Sequence, residues 1–110
     1  MNKFSYALVL TIIWSGGAYA LDRELQRGRD LLETLCARCH AVGTTGRSRH
    51  PDAPPFRTFG EKIYDDQLGQ RLQDGLTTIH PDMPTFVFKQ RDAEAAMNYL
   101  QSIQQKKDSK

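Results

Sequence analysis

Neither sign of charge dominates this chain, in which 15 Lys and Arg stand against 13 Asp and Glu. A nucleic acid or an anionic membrane as partner is therefore not suggested, because both ask for a concentrated basic excess. Long apolar runs are missing too. The longest, residues 4–14, is interrupted by Ser5, Tyr6 and Thr11 and falls short of the roughly 18 apolar residues that a spanning helix needs. No segment alternates apolar and polar residues convincingly, which speaks against a sheet, and no internal repeat is visible. The 110 residues leave room for one domain only. Two cysteines permit one covalent staple at most. A domain this small needs such a staple, or a large bound apolar group, to complete its core.

What is present begins with a leader. Lys3 supplies the positive start, residues 4–14 the apolar stretch, and Ala18-Tyr19-Ala20 a site with small residues at both determining positions. Residues 1–20 are read as a cleaved secretory signal peptide and residues 21–110 as the mature domain. No cysteine lies near the cleavage site, so a lipid anchor is not indicated, and no membrane anchor is expected after cleavage. Loss of Lys3 leaves the mature chain almost neutral.

Leu21, Leu25, Gly28, Leu32 and Leu35 recur at steps of four and three, which predicts a helix with Asp22 as its cap. Glycine inside a helix costs about 0.5 to 1 kcal/mol relative to Ala, so Gly28 on the apolar stripe points to another backbone passing close by. Residues 42–55, rich in Gly, Pro and small polar side chains, form a long loop. Tyr64, Leu68 and Leu72 predict a short middle helix, capped by Asp65 or Asp66 and stopped by Gly75. Residues 77–88 carry Pro81 and Pro84 and are irregular. Asp92 then caps a last helix with Ala93, Ala96, Met97, Leu100 and Ile103 on its apolar face, before a charged tail at 106–110. Three helices joined by such loops make a weak core unless something fills the middle.

Cys36-Ala37-Arg38-Cys39-His40 stands where the first helix should end. This C-x-x-C-H string is the most specific signal in the chain. Three residues apart on a helical turn, the two thiols share one side, where they can form thioethers with the two vinyl groups of one haem while the next residue brings an imidazole to the iron. Three other readings compete. A Cys36–Cys39 redox disulfide would need a preceding strand, whereas a helix precedes it. A zinc site would need further ligands, for which only His50 and His80 remain, at unmatched spacing. A chance occurrence would leave the small core and the long loops unexplained.

Around that string the mature chain resembles the class I cytochrome c family over nearly its whole length. The order is a first helix with an internal Gly, the haem-binding string near its end, a proline loop, a middle helix, a methionine loop and a final helix. The resemblance implies an all-α class I cytochrome c fold, with three main helices and long loops around one covalently attached haem c. It implies that Gly28 and the pair Tyr99-Leu100 mark the crossing of the first and last helices, with Leu32 standing where many members have an aromatic residue. It also implies that the Pro54 carbonyl in Ala53-Pro54-Pro55-Phe56 accepts a hydrogen bond from the imidazole of His40, which would fix its tautomer and orientation. His80-Pro81-Asp82-Met83-Pro84 resembles the family's methionine loop and makes Met83 the expected sixth iron ligand, a soft thioether suited to haem. Met97 reads instead as core filler on the last helix. His80 precedes a proline in the same loop and His50 reads as a solvated loop residue, although either imidazole can ligate iron. Phe56, Phe59, Leu68, Leu72, Ile79, Phe86 and Phe88 are the expected pocket walls, and Arg47, Arg49 and Arg57 the candidates for pairing with propionates.

An iron held by His40 and Met83 has no open position for a substrate. The expected function is that of a periplasmic electron carrier, a monomer that passes single electrons between redox protein partners such as a dehydrogenase, reductase or oxidase. Two alternatives stay open. One is a haem subunit of a larger dehydrogenase or oxidase complex, which would share every haem residue. The other is a haem enzyme or sensor with a displaceable Met83, for which no distal acid/base motif is visible. Arg38, Arg47 and Arg49, with no acid between Arg38 and His50, make a basic patch beside the string that can steer an acidic partner.

Overall fold

The computed structural model describes residues 16–64, 66–76 and 80–105. Among these residues every regular element is helical, as expected: α1 (Gly16–Cys36), α2 (Asp66–Asp74) and α3 (Gln90–Ser102), with two 3-10 turns, Phe56–Thr58 and Gly60–Tyr64, between α1 and α2. Lys3 and the apolar stretch of the leader, Asp65, Ile79 and the tail at 106–110 lie outside the described residues.

Helix starts depart from the sequence reading in two places. Asp22 lies well inside α1 and does not cap it. Ala18, Tyr19 and Ala20 contain nothing that breaks a helix, so the turn before Asp22 satisfies the backbone groups that a cap would have served. Leu21, expected on the buried stripe, is 57% exposed, and burial begins with Leu25 and becomes complete at Gly28 and Leu32. At α3 the N-cap position is Lys89, with no side-chain hydrogen bond, and Asp92 sits in the first turn. Its carboxylate accepts from the Arg27 guanidinium of α1 instead, an ion pair that ties the two helices together where the α3 dipole favours an acid. Tyr64 falls in the second 3-10 turn rather than in α2 and is 62% exposed. Gly75 does stop α2, at φ 99°, a conformation that only glycine adopts cheaply.

α1 and α3 cross at Gly28. A methyl group there would meet the carbonyl of Ala95, whose carbon lies 2.6 Å from the ideal Cβ position, and the Cβ of Tyr99 at 2.9 Å. The glycine thus lets two backbones touch, as its place on the stripe predicts, although its neighbours are Ala95 and Tyr99 rather than Tyr99 and Leu100. Ala93, Ala95, Ala96, Tyr99 and Leu100 of α3, and Ile103 just past its end, are all buried. All but Ala95 pack with Leu32, Val42, Phe56, Ile63, Leu72 and Phe88, so more than half of the core comes from outside α3 and much of that from loops. Polar anchors hold those loops. The Tyr99 hydroxyl donates to the Val42 carbonyl at 2.9 Å, and burial pushes its phenol pKa up, with Arg29 opposing in part. Gln104, just past α3, donates to the Phe56 carbonyl at 2.8 Å and accepts from the Gly60 N–H at 2.7 Å, fastening both 3-10 turns to the helix end.

Candidate functional site

Cys36 is the last residue of α1, and the backbone N–H groups of Cys39 and His40 both donate to its carbonyl, at 3.1 and 2.9 Å. The string therefore curls into one tight turn that places Cys36, Cys39 and His40 on the wall of a single cavity. The two thiols are not joined to each other. Burial, with a smaller contribution from Cys39, pushes the Cys36 thiol up to about 11, because a thiolate is poorly solvated there. A half-buried, protonated thiol held beside a second one suits attachment to an apolar group better than service as an exposed redox nucleophile.

The His40 ring is fixed from two sides. Its Nδ1–H donates to the Pro54 carbonyl at 2.8 Å, and its face stacks on Phe56 with centroids 4.7 Å apart and 28° between planes. A carbonyl can only accept, so Nδ1 carries the proton and the lone pair of the neutral ring resides on Nε2. The Pro54 loop is itself held, since the Phe56 N–H donates to the Ala41 carbonyl at 3.0 Å and Ala41 N–H to Ser48 Oγ at 3.0 Å.

The cavity has a volume of about 770 Å³, within the range of roughly 300–1,000 Å³ typical of ligand sites. Phe56, Phe59, Leu68, Leu72, Phe86 and Phe88, expected as walls, all line it, joined by Leu32, Leu35, Leu76 and Leu100. The helical stripes assigned Leu32, Leu35 and Leu100 to helix packing alone; they serve the cavity as well. Met83 and Pro84 complete it from the opposite loop, where the Met83 N–H donates to the His80 carbonyl at 3.3 Å. Met97 packs against the core instead, with its Cγ near Gly69 of α2. The donor set gathered here, one carbonyl-anchored imidazole, one thioether and two thiols in an apolar chamber, fits a haem.

Arg47 and Arg49 are exposed and lie off the cavity wall, whereas Arg38 stands on it. Arg57 does not line the cavity either, but it adjoins the lining residue Phe56 in the chain and is half-buried, and its Nη1 is buried with no hydrogen-bond partner among the described residues. An unpartnered buried guanidinium nitrogen asks for an acceptor such as a carboxylate. His50 is not the solvated loop residue that its neighbourhood suggests: its side chain is 25% exposed, and its Nε2–H donates to Asp82 at 3.1 Å. His80 makes the mirror-image contact with Asp52 at 3.2 Å. Both imidazoles and both carboxylates stand on the cavity wall beside Met83. The clue was legible only at a scale of three residues, where His-Pro-Asp occurs twice.

No curated protein and no solved structure matches the chain closely enough to add to these observations. A family model described as Cytochrome c matches residues 25–104, most of the chain and every part of the cavity. With an all-helical fold closing on one apolar chamber behind a C-x-x-C-H string, the chain belongs to the cytochrome c family, whose members carry covalently attached haem c and transfer electrons.

Proposed function

We propose that residues 21–110 form a periplasmic monohaem electron carrier, exported by a signal peptide at residues 1–20. One haem is held through thioethers to Cys36 and Cys39, with His40 and Met83 as its axial ligands. The observation that carries this reading is the convergence of two thiols, one carbonyl-anchored imidazole and one methionine on a single apolar cavity. When bound, the haem supplies an iron that changes its charge by one electron. The chain's own residues do the rest. The Pro54 carbonyl and the Phe56 ring hold His40 in one tautomer and one orientation. Phe59, Phe86 and Phe88 exclude water, which keeps the charge change in a low-dielectric setting. Arg57 offers its buried Nη1 to a propionate.

The partners of such a carrier are redox proteins, met at the exposed side of the attachment string, where Arg38, Arg47 and Arg49 are all exposed. Among the described residues no helix is long and apolar enough to cross a membrane. The ligand assignment is tested by spectroscopy. A ferric iron bound by a thioether gives a weak band at the red end of the visible spectrum. It should vanish in Met83→Ala and persist in Met97→Leu; the opposite pattern overturns the assignment.

A further inference from the structure

The tripeptide His-Pro-Asp occurs as His50-Pro51-Asp52 in the loop after α1 and as His80-Pro81-Asp82 just before Met83, and the two copies bind each other. Within each copy the Asp backbone N–H donates to the Nδ1 of its own His, at 3.1 Å for Asp52 and 3.3 Å for Asp82. A neutral imidazole whose Nδ1 accepts carries its proton on Nε2. Each Nε2–H then donates to the carboxylate of the other copy, His50 to Asp82 and His80 to Asp52. The rings meet edge to face with centroids 5.1 Å apart. Backbone bonds carry the contact onward in both directions. The His50 N–H donates to the carbonyl of Cys39 at 3.1 Å, and the His80 carbonyl accepts from the N–H of Met83.

We infer that these crossed His–Asp pairs are a latch that holds the methionine loop against the haem-attachment loop, which makes His50, Asp52, His80 and Asp82 positioning residues for Met83. The inference rests on the reading of Met83 as sixth ligand. A neutral thioether is a weak donor, so its hold on iron depends on how firmly its loop is placed beforehand. On its far side that loop is fastened where the Phe88 N–H donates to the Leu72 carbonyl at 2.7 Å; the crossed pairs fasten it on the near side.

The same atoms argue against a metal cage. One ligand atom from each of His50, Asp52 and His80 falls within 4.8 Å of the others, but a ligating nitrogen needs its lone pair. The tautomer set by the two Asp N–H groups puts a proton on each Nε2 instead.

The test follows displacement of Met83 by added imidazole in the ferric holoprotein, read as loss of the red band. Each pair is a hydrogen bond from a neutral imidazole to a largely exposed carboxylate, for which water competes, so the loss of one has a modest effect. Asp52→Ala and Asp82→Ala should therefore each speed displacement about two- to fivefold, and the double variant about tenfold. Asp52→Asn and Asp82→Asn, which keep an acceptor oxygen, should fall between the parent and the Ala forms. A parent-like rate in the double variant overturns the latch, even if its denaturation midpoint has fallen, because then the four residues only stabilise the fold. Stoichiometric zinc binding that the same substitutions abolish overturns it as well, in favour of a metal site. Met83→Ala is the reference. If it keeps the red band, the ligand reading fails and the latch with it; if it loses the band while the double variant behaves like the parent, the latch fails alone.

Discussion

Gly28→Ala adds one methyl group at the crossing of α1 and α3, and the structure decides the sign of its effect. In an open helix the exchange would stabilise, because Ala exceeds Gly in helix propensity by about 1 kcal/mol. Here the new carbon would sit 2.6 Å from the carbonyl carbon of Ala95, closer still to its oxygen, and 2.9 Å from Tyr99 Cβ. Two of the three obstacles are backbone atoms, which cannot rotate away, so the helices must part. Overpacking of this kind costs about 1 to 3 kcal/mol. The parting would also loosen Ala93, Ala96 and Leu100, which are almost fully buried beside it, so the upper part of that range applies. After the propensity gain a net loss of about 1 to 2 kcal/mol remains, equivalent to a fall in Tm of roughly 5 to 15 °C for a domain of this size. Guanidinium denaturation of the haem-loaded protein, followed by far-ultraviolet circular dichroism, measures it. A variant as stable as the parent, or more stable by the propensity term, would show that the helices do not touch at Gly28.

Tyr99→Phe keeps the packing but leaves the buried Val42 carbonyl without its donor, and should cost about 1 to 3 kcal/mol in the same assay. In the haem-free chain, alkylation of Cys36 should be slow at pH 8 and half-maximal only near pH 11, because burial raises its thiol to about 11. Unfolding the chain in urea should move that midpoint down to the ordinary thiol range of about 8.5. The sign for stability follows from the raised value: the protonated thiol contributes fully below the unfolded pKa, and that contribution is lost as pH rises toward 11. Electron transfer to an acidic redox partner should slow as ionic strength rises, and charge reversal at Arg38 or Arg49 should slow it further with the haem spectrum unchanged. A rate insensitive to both would remove the basic patch from the docking surface.

What the sequence made legible was local. The C-x-x-C-H string, the glycine on an apolar stripe and the aromatic residues of the proline and methionine loops each announce themselves within a few positions, and six of the seven expected walls line the cavity, with Ile79 outside the described residues. The features missed depend on residues far apart in the chain. Ala95 lies off the apolar stripe of α3 and is buried only because Gly28 lets α1 approach its carbonyl. Ile63, fully buried in a 3-10 turn, follows neither helical nor strand periodicity. Asp22 and Asp92 looked like caps because a short polar residue before an apolar run is the ordinary start signal. The signal does not register that Ala18–Leu21 can continue a helix, or that Arg27 would claim the Asp92 carboxylate. The pairing of His50 with Asp82 and of His80 with Asp52 spans about thirty residues, and no spacing rule links them.

The central claim is that Cys36 and Cys39 hold one haem covalently, and the mass of the protein recovered from the periplasm tests it most directly. After extraction with acid and organic solvent, the intact mass should equal that of residues 21–110 plus one haem, and fragmentation should place the added mass on the peptide that contains Cys36 and Cys39. The mass of the bare chain, or an added mass on any other peptide, would contradict the account.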